Sequence, residues 1–289
     1  NWSSSAWTDA NLTGNITTLV GSTAVTGTGT TFTTELSIGS VIKTAVGVVI
    51  GTVASITDNN HLTLASNALI TYSNITFRFQ GVGPADDVRI LGGDHITVDV
   101  ATAVCATLAG VNSGSGAWSL VFNAGSQLTV TGVATIGDPT DAGSVDMTSG
   151  GLLKVGSLAA GAGGATLTPG TGTVEFTGTS TIPTEFPNFN NLTVSGVAVL
   201  TASQGLTISG NVITTAGTTL NAGNFTHFIG GNLTNAGIFN GGPLGGAGTI
   251  YLNGSIDQTF ANTNADPANH TVNITVDKSA GSVILNTDI

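Results

Sequence analysis

The sequence predicts an all-β protein: a right-handed parallel β-helix (a β-solenoid) with a small N-terminal β-barrel or β-sandwich module. Short apolar runs alternate with Gly/Asn turns at a nearly constant spacing, which is too short for a helix and its connection. Thr, Val and Ser dominate over helix formers, and only 7% of residues are charged. Gly reaches 42 of 289 residues while Pro stays at 7, as repeated tight turns require. Right-handedness follows from the prevalence of right-handed parallel crossovers.

The stretch 192–239 carries the clearest repeat. Three strand-plus-turn steps make one coil, so that Leu192 to Val212 spans 20 residues and Val212 to Leu233 spans 21. Stacking at that period lays apolar residue over apolar residue. The same turn, Asn-Ala-Gly, recurs at 123–125, 221–223 and 235–237. The side chains predicted to point inward are Leu192, Val194, Val199, Leu206, Ile208, Val212, Leu220, Phe225, Leu233 and Ile238.

The chain divides into three predicted segments. Residues 1–17 form an N-terminal cap segment in which Trp2 and Trp7 cover an open end of the core. Residues 18–80 form an inserted small β-module with a hairpin turn at 58–60, and residues 81–289 form the parallel β-helix. The Gly/Ala/Thr-rich stretch 159–172 weakens the repeat and is expected to be a loop or slack coil.

Charge and hydropathy exclude several classes of partner. Five basic residues against sixteen acidic ones give a net charge of −11, which repels nucleic acid and anionic membrane surfaces. No run approaches the roughly 18 to 20 apolar residues that a membrane span needs, so we expect no membrane insertion. The composition suits an extracellular, cell-surface location. The abrupt start and the strand-like end suggest a processed product or a fragment of a longer repeat protein.

Several segments resemble a known family. They are Trp2 and Trp7, followed by residues 83–88 (Gly-Pro-Ala-Asp-Asp-Val), 93–99 (Gly-Asp-His-Ile-Thr-Val-Asp), 172–176 (Gly-Thr-Val-Glu-Phe) and 189–194 (Phe-Asn-Asn-Leu-Thr-Val). Together they resemble the β-helix repeat regions of large Bacteroidota cell-surface adhesins. That family includes gliding-motility adhesin-like proteins exported by type 9 secretion. The resemblance implies a secreted stalk or adhesin, and it leaves the ligand open.

The densest polar constellation is a candidate cation site. Asp86, Asp87, Asp94 and Asp99 provide oxygen ligands of the kind that Ca²⁺ prefers, and His95 lies among them. Their spacing matches neither the EF-hand loop nor the nine-residue calcium repeat, so carboxylates that cap turns explain them as well. Calcium is the one cofactor that the sequence raises, and no catalytic residue is assigned.

Enzymatic chemistry has two candidate carboxylate pairs. Stacking could juxtapose Asp138 with Asp141, or Glu175 with Glu185, as a glycosidase requires. Surface turns explain these residues equally well, and the chain lacks a Gly-x-Ser-x-Gly nucleophile and zinc-spaced histidines. We expect His227 to point outward and the single cysteine, Cys105, to be a small buried core residue.

Outward-facing aromatic residues and threonine pairs are two candidate binding surfaces. Aromatic residues that point outward could stack on sugars, although most are expected in the core. Threonine pairs such as Thr166 with Thr168 suggest ice binding, but they are not spaced by a coil length. The aromatic candidates are Phe186, Phe189, Phe225, Phe228, Phe239 and Tyr251.

These observations favour a non-enzymatic structural or adhesive segment of an extracellular surface protein: a stalk, fibre or adhesin. The alternative is a carbohydrate-active enzyme or a glycan-binding module on the same scaffold. The expected partners are neighbouring repeats or copies of the chain itself, with surface glycans as a further class.

Overall fold

In a computed structural model, the chain is all-β apart from one short helix, and it is described for residues 11–80, 83–84, 86–112, 116–241, 248–264 and 272–286. The chain forms two compact units. The barrel unit comprises Asn1–Val88 with Thr102–Ala106, and the solenoid unit comprises Arg89–Ala101 with Thr107–Ile289. Trp2 and Trp7, the predicted end cover, lie outside the described residues.

The barrel unit contains a closed antiparallel barrel in the order β1-β2-β5-β4-β3-β6. Its core packs Ile16, Phe32, Ile42 and Phe77, each with no exposed surface, and the rings of Phe32 and Phe77 meet edge to face. The hairpin turn predicted at 58–60 joins β4 to β5. The elements are β1 Asn11–Thr18, β2 Ala24–Thr28, α1 Phe32–Glu35, β3 Val41–Thr44, β4 Val49–Asp58, β5 His61–Leu64 and β6 Tyr72–Gln80, and the short β9 Ala103–Cys105 belongs to the same unit.

The solenoid unit is a parallel β-solenoid of about 8 turns, which confirms the predicted fold class. Its first sheet stacks one strand from each successive coil. Inward and outward residues alternate along strands such as β16 (Thr173–Phe176), in which Val174 and Phe176 are buried. The strands of this first sheet are β7 Asp87–Leu91, β10 Thr107–Val111, β12 Gln127–Ile136, β14 Leu152–Ala160, β16 Thr173–Phe176, β19 Asn191–Val194, β22 Val212–Thr214, β25 Leu233–Asn235, β28 Gln258–Asn262 and β30 Val283–Leu285.

Three further parallel sheets complete the coils. The second sheet is β8 His95–Val98, β11 Trp118–Phe122, β13 Gly143–Asp146 and β15 Ala165–Thr168. The third sheet is β17 Ser180–Ile182, β20 Val199–Ala202, β23 Thr219–Asn221 and β26 Ile238–Asn240. The fourth sheet is β18 Asn188–Phe189, β21 Thr207–Ile208, β24 Thr226–Ile229, β27 Thr249–Leu252 and β29 Asn273–Val276.

The predicted coil period is confirmed in the central repeat. Leu192 pairs with Val212, and Val212 pairs with Leu233, so these residues stack directly within the first sheet. Successive triplets of strands, such as β19-β20-β21 and β22-β23-β24, each make one coil. Seven of the ten residues predicted to point inward are buried: Leu192, Val194, Leu206, Ile208, Val212, Leu220 and Leu233.

Two predicted inward positions are wrong by one residue. In β20 and β26 the buried side chains are Leu200 and Phe239, whereas Val199 and Ile238 are only half-buried. Each pair consists of two adjacent large apolar residues, and a one-residue shift exchanges the two faces of a strand. Phe225 is also half-buried, because it lies between the turn at 221–223 and the start of β24.

The stretch predicted as loop or slack coil, 159–172, carries a strand of the second sheet. Residues 165–168 form β15, which pairs in register with β13. The glycines pack against the backbone of the preceding coil, since a Cβ on Gly161 would lie 2.5 Å from Asp138 N. Small residues therefore allow close stacking here, where the sequence pattern suggested a break.

Candidate functional site

The four acidic residues proposed for calcium belong to two different units. Asp86 and Asp87 lie in the barrel unit, while Asp94 and Asp99 lie in the solenoid unit. Asp86 Oδ2 accepts a hydrogen bond from Gly83 N at 2.7 Å, which is a turn-capping contact. Across the part of the chain that the structure describes, no group of three or more His, Cys, Asp or Glu side chains is arranged to hold a metal ion.

Cys105 is a core residue, as predicted, with no exposed surface. Burial, together with the smaller effect of the negative charges of Asp86 and Asp87, raises the pKa of its thiol to about 12. A thiol reacts as its thiolate, so a pKa far above neutral makes Cys105 unreactive.

The first candidate carboxylate pair is contained in a single turn. Asp138 is 2% exposed, and its Oδ1 accepts hydrogen bonds from Thr140 N and Asp141 N, both at 2.8 Å. Those backbone donors hold the pKa of Asp138 below its usual value, which is opposite to the shift of a general acid. Within the described residues, Oδ2 of Asp138 and Oδ2 of Asp141 are buried without a hydrogen-bond partner.

The second candidate pair is divided between a strand and a turn. Glu175 lies on β16, where Oε1 accepts from Lys154 Nζ at 2.8 Å and from Ser195 Oγ at 2.5 Å. Lys154, Glu175 and Ser195 come from successive coils of the first sheet, so their hydrogen bonds link three coils. Glu185 is exposed in the turn between β17 and β18, with Thr184 Oγ1 3.4 Å from its Oε2.

The aromatic candidates separate into core and surface. Phe186, Phe189 and Phe239 are at most 3% exposed and therefore belong to the core. Phe228 is 37% exposed and Tyr251 is half-buried, and both point away from the core of the fourth sheet. Their ring centroids are 5.3 Å apart with an interplanar angle of 32°. Phe228 and Tyr251 therefore form a partly exposed aromatic pair on the outer face of the fourth sheet.

The aromatic pair is part of a continuous row across five coils. In-register pairing aligns Asn188 with Thr207, Thr207 with Phe228, Phe228 with Tyr251, and Tyr251 with Thr275. We call these five residues the aromatic row. A second row, Thr226-Thr249-Asn273, runs beside it on the same face. Both rows are uncharged, with hydroxyl and amide groups on either side of the rings.

An outer asparagine ladder reinforces the solenoid at the start of the first-sheet strands. Asn191 Oδ1 accepts from Asn211 N at 2.9 Å, and Asn211 Oδ1 accepts from Asn232 N at 2.8 Å. Asn232 Oδ1 accepts in turn from Thr259 N at 2.8 Å. The ladder was not predicted, although an Asn directly precedes Leu192, Val212 and Leu233 in the sequence and is a signal for it.

An inner ladder of buried polar side chains lies in the same sheet. Thr214, Asn235 and Asn262 stack in register on β22, β25 and β28. Thr214 Oγ1 donates to Asn235 Oδ1, and Asn235 Nδ2 donates to Asn262 Oδ1 at 2.9 Å. Polar side chains at core positions of a repeat satisfy one another along the stack, which makes the ladder a structural element.

His227 points inward, so the expected outward position is wrong. Its side chain is 3% exposed, Nδ1 accepts from Leu206 N at 3.2 Å, and Nε2 donates to Ala222 O at 2.7 Å. Burial lowers the pKa of His227 below its usual value. Along β24, Thr226 and Phe228 share one face, and His227 and Ile229 share the other. Each face contains one large apolar residue, so the pattern alone does not show which face is buried.

The chain matches no protein-family model, and no curated protein matches it. In the described ranges, none of the helices has the length and apolarity required to cross a bilayer.

Proposed function

We propose that the chain is a non-enzymatic structural or adhesive segment of an extracellular cell-surface protein, acting as a stalk, fibre or adhesin. The observation that supports this best is the continuous in-register parallel ladder of the solenoid unit, from β12 through β14, β16, β19, β22 and β25 to β28 and β30. Load along such a stack is distributed over many backbone hydrogen bonds, and each coil contacts only its neighbours.

The side chains reinforce this ladder between coils. The outer asparagine ladder adds one side-chain bond to the backbone of each next coil, and Lys154, Glu175 and Ser195 link three coils by charge-assisted bonds. These contacts increase the resistance of the backbone to local opening, and with it resistance to proteases. Mechanical and protease resistance suit an extracellular stalk.

The finer proposal places the chain in the β-helix region of a Bacteroidota gliding-motility adhesin-like protein exported by type 9 secretion. It rests on the sequence resemblance of residues 83–88, 93–99, 172–176 and 189–194. Neighbouring repeats and copies of the same chain are the proposed structural partners, since β-edges and coil ends favour such contacts.

Immunogold electron microscopy of the producing cells, with antibodies raised against the purified chain, tests the proposal. We expect label on the outer cell surface, along filaments or tufts. Label confined to the cell interior would refute it. Label found only on degraded polymer in the medium, with release of reducing ends that Asp138→Asn or Glu175→Gln abolishes, would favour an enzyme instead.

A further inference from the structure

The aromatic row includes two adjacent rings that are partly exposed on the outer face of the fourth sheet. Neighbouring strands of a parallel sheet lie about 4.8 Å apart, and the measured centroid separation of Phe228 and Tyr251 is 5.3 Å. At this separation and a tilt of 32° the two rings partly overlap, so they form one apolar ridge across two coils. Phe228 leaves 37% of its surface exposed, although burying it would be favourable. A partly exposed aromatic pair is a candidate contact surface for a partner.

The residues beside the rings supply hydrogen-bonding groups. Asn188 and Thr207 precede Phe228 in the row, and Thr275 follows Tyr251. The in-register pairing places the side chains of Asn188, Thr207 and Thr275 on the same face of the sheet as the rings. Apolar ring faces bordered by hydroxyl and amide groups match a ligand that has C–H faces and hydroxyl edges.

We infer that the aromatic row binds a neutral carbohydrate chain, with sugar rings packed against the ridge of Phe228 and Tyr251 and hydroxyls bonded by Thr207 and Thr275. The inference gives the adhesive form of the proposed function a ligand class, and it rests on that function. The site is defined by the five in-register residues of the aromatic row.

Charge selects a neutral ligand over an acidic one. Neither the aromatic row nor the adjacent row Thr226-Thr249-Asn273 contains a charged residue. The chain as a whole carries a net charge of −11, so its field repels polyanions such as uronate polymers. Bidentate contacts to carboxylate or sulfate require Arg or Lys, and the row supplies neither.

The extent of the row favours a polymer over a single sugar. One position of the row recurs in each of five consecutive coils, at about 4.8 Å per coil, along the direction of coil stacking. A chain ligand that follows this direction can contact several coils at once, and repeated weak contacts raise overall affinity. Monosaccharides would gain only one stacking contact and bind weakly.

Affinity electrophoresis of the full chain in gels that contain a soluble neutral polysaccharide tests the inference. The probes are xylan, mannan and hydroxyethyl cellulose, with polygalacturonate as the acidic comparison. Variants are Phe228→Ala, Tyr251→Ala and their double mutant. The matched control is Ile213→Ala, which removes an exposed apolar side chain (40% exposed) from β22 of the first sheet. Thermal unfolding of every variant checks that the fold is retained.

We expect retardation by at least one neutral polysaccharide and none by polygalacturonate. The double mutant should lose affinity by about tenfold or more, because both aromatic rings of the contact surface are removed. Ile213→Ala should bind as the unmodified chain does, and Tyr251→Phe, which keeps the ring, should retain most of the affinity.

Three outcomes would overturn the inference. They are no retardation by any neutral probe, retardation that the double mutant leaves unchanged, and retardation by polygalacturonate alone. Each outcome is independent of the proposed function, since surface labelling by immunogold would still identify a stalk that lacks this ligand. Conversely, glycan binding without surface labelling would support the binding site and refute the cell-surface role.

Discussion

The imidazole of His227 is buried and hydrogen-bonded at both ring nitrogens. In the neutral ring, Nε2–H donates to Ala222 O and Nδ1 accepts from Leu206 N. A proton on Nδ1 would abolish the second bond and place a charge at a site that is 3% exposed. For this reason the native state binds the proton less readily than the unfolded chain does.

We therefore predict that acidification destabilises the protein through His227. The folded pKa lies below the ordinary value of 6.5, so stability from the neutral ring is present above that pH and is lost as the pH falls below it. In urea unfolding between pH 7.5 and 5, His227→Gln should show a smaller loss of stability than the unmodified chain. Equal pH dependence in His227→Gln and the unmodified chain would contradict the prediction.

At the same scale, sequence alone predicts burial well only where an apolar residue has polar neighbours. Leu192 and Leu233 are of this kind, and both predictions are confirmed. Val199 with Leu200 and Ile238 with Phe239 are adjacent apolar pairs, for which either member can point inward. Phe228 and Tyr251 were candidates among six aromatic residues, and only the register of β24 with β27 separates them from the core phenylalanines.

At the scale of elements, the inner ladder couples three strands through buried polar groups. Asn235 is 1% exposed and holds both Thr214 and Asn262, while Thr214 is also 1% exposed. Loss of the Asn235 side chain would leave the Thr214 hydroxyl without its acceptor in the core. An unsatisfied buried hydroxyl is more costly than the loss of an exposed hydrogen bond.

We predict that Asn235→Ala lowers the free energy of unfolding by about 1–3 kcal/mol. Asn221→Ala, which removes an outward side chain bonded to Thr201 at 3.3 Å, should change it by less than about 0.5 kcal/mol. Urea unfolding followed by circular dichroism measures both variants. Similar effects for the two would mean that the inner ladder contributes no more than surface bonds.

The strands themselves were more predictable than their lateral contacts. The repeat length of the coil and the row of inward apolar residues follow from the alternation of apolar and polar residues. Together they located β19, β22 and β25 correctly. The strand β15 was missed because its coil stacks through glycine, whose close approach leaves no hydrophobic signal. The side-chain ladders were also missed, since a polar residue at a repeat position resembles an ordinary turn residue until its partners in adjacent coils are known.

At the scale of the whole molecule, the solenoid unit behaves as a one-dimensional stack. Each coil from residue 173 onward pairs only with the coil before it and the coil after it in the first sheet. Stability is then a sum of coil and interface contributions, and length can vary by whole coils. The barrel unit has the opposite design, because a closed sheet cannot lose a strand without opening.

Removal of one coil tests this additivity. Deleting residues 192–211 joins Asn191 to Val212, so that β22 takes the place of β19 against β16 and Asn191 faces Asn232 in the outer ladder. We expect a folded protein with a β-type circular dichroism spectrum and a proportionally smaller urea m-value. Deleting half a coil, residues 192–201, shifts every later strand out of register and should abolish cooperative unfolding. If both deletions unfolded the chain equally, the coils would depend on more than their neighbours, and a stalk built by repetition of this unit would lose its physical basis.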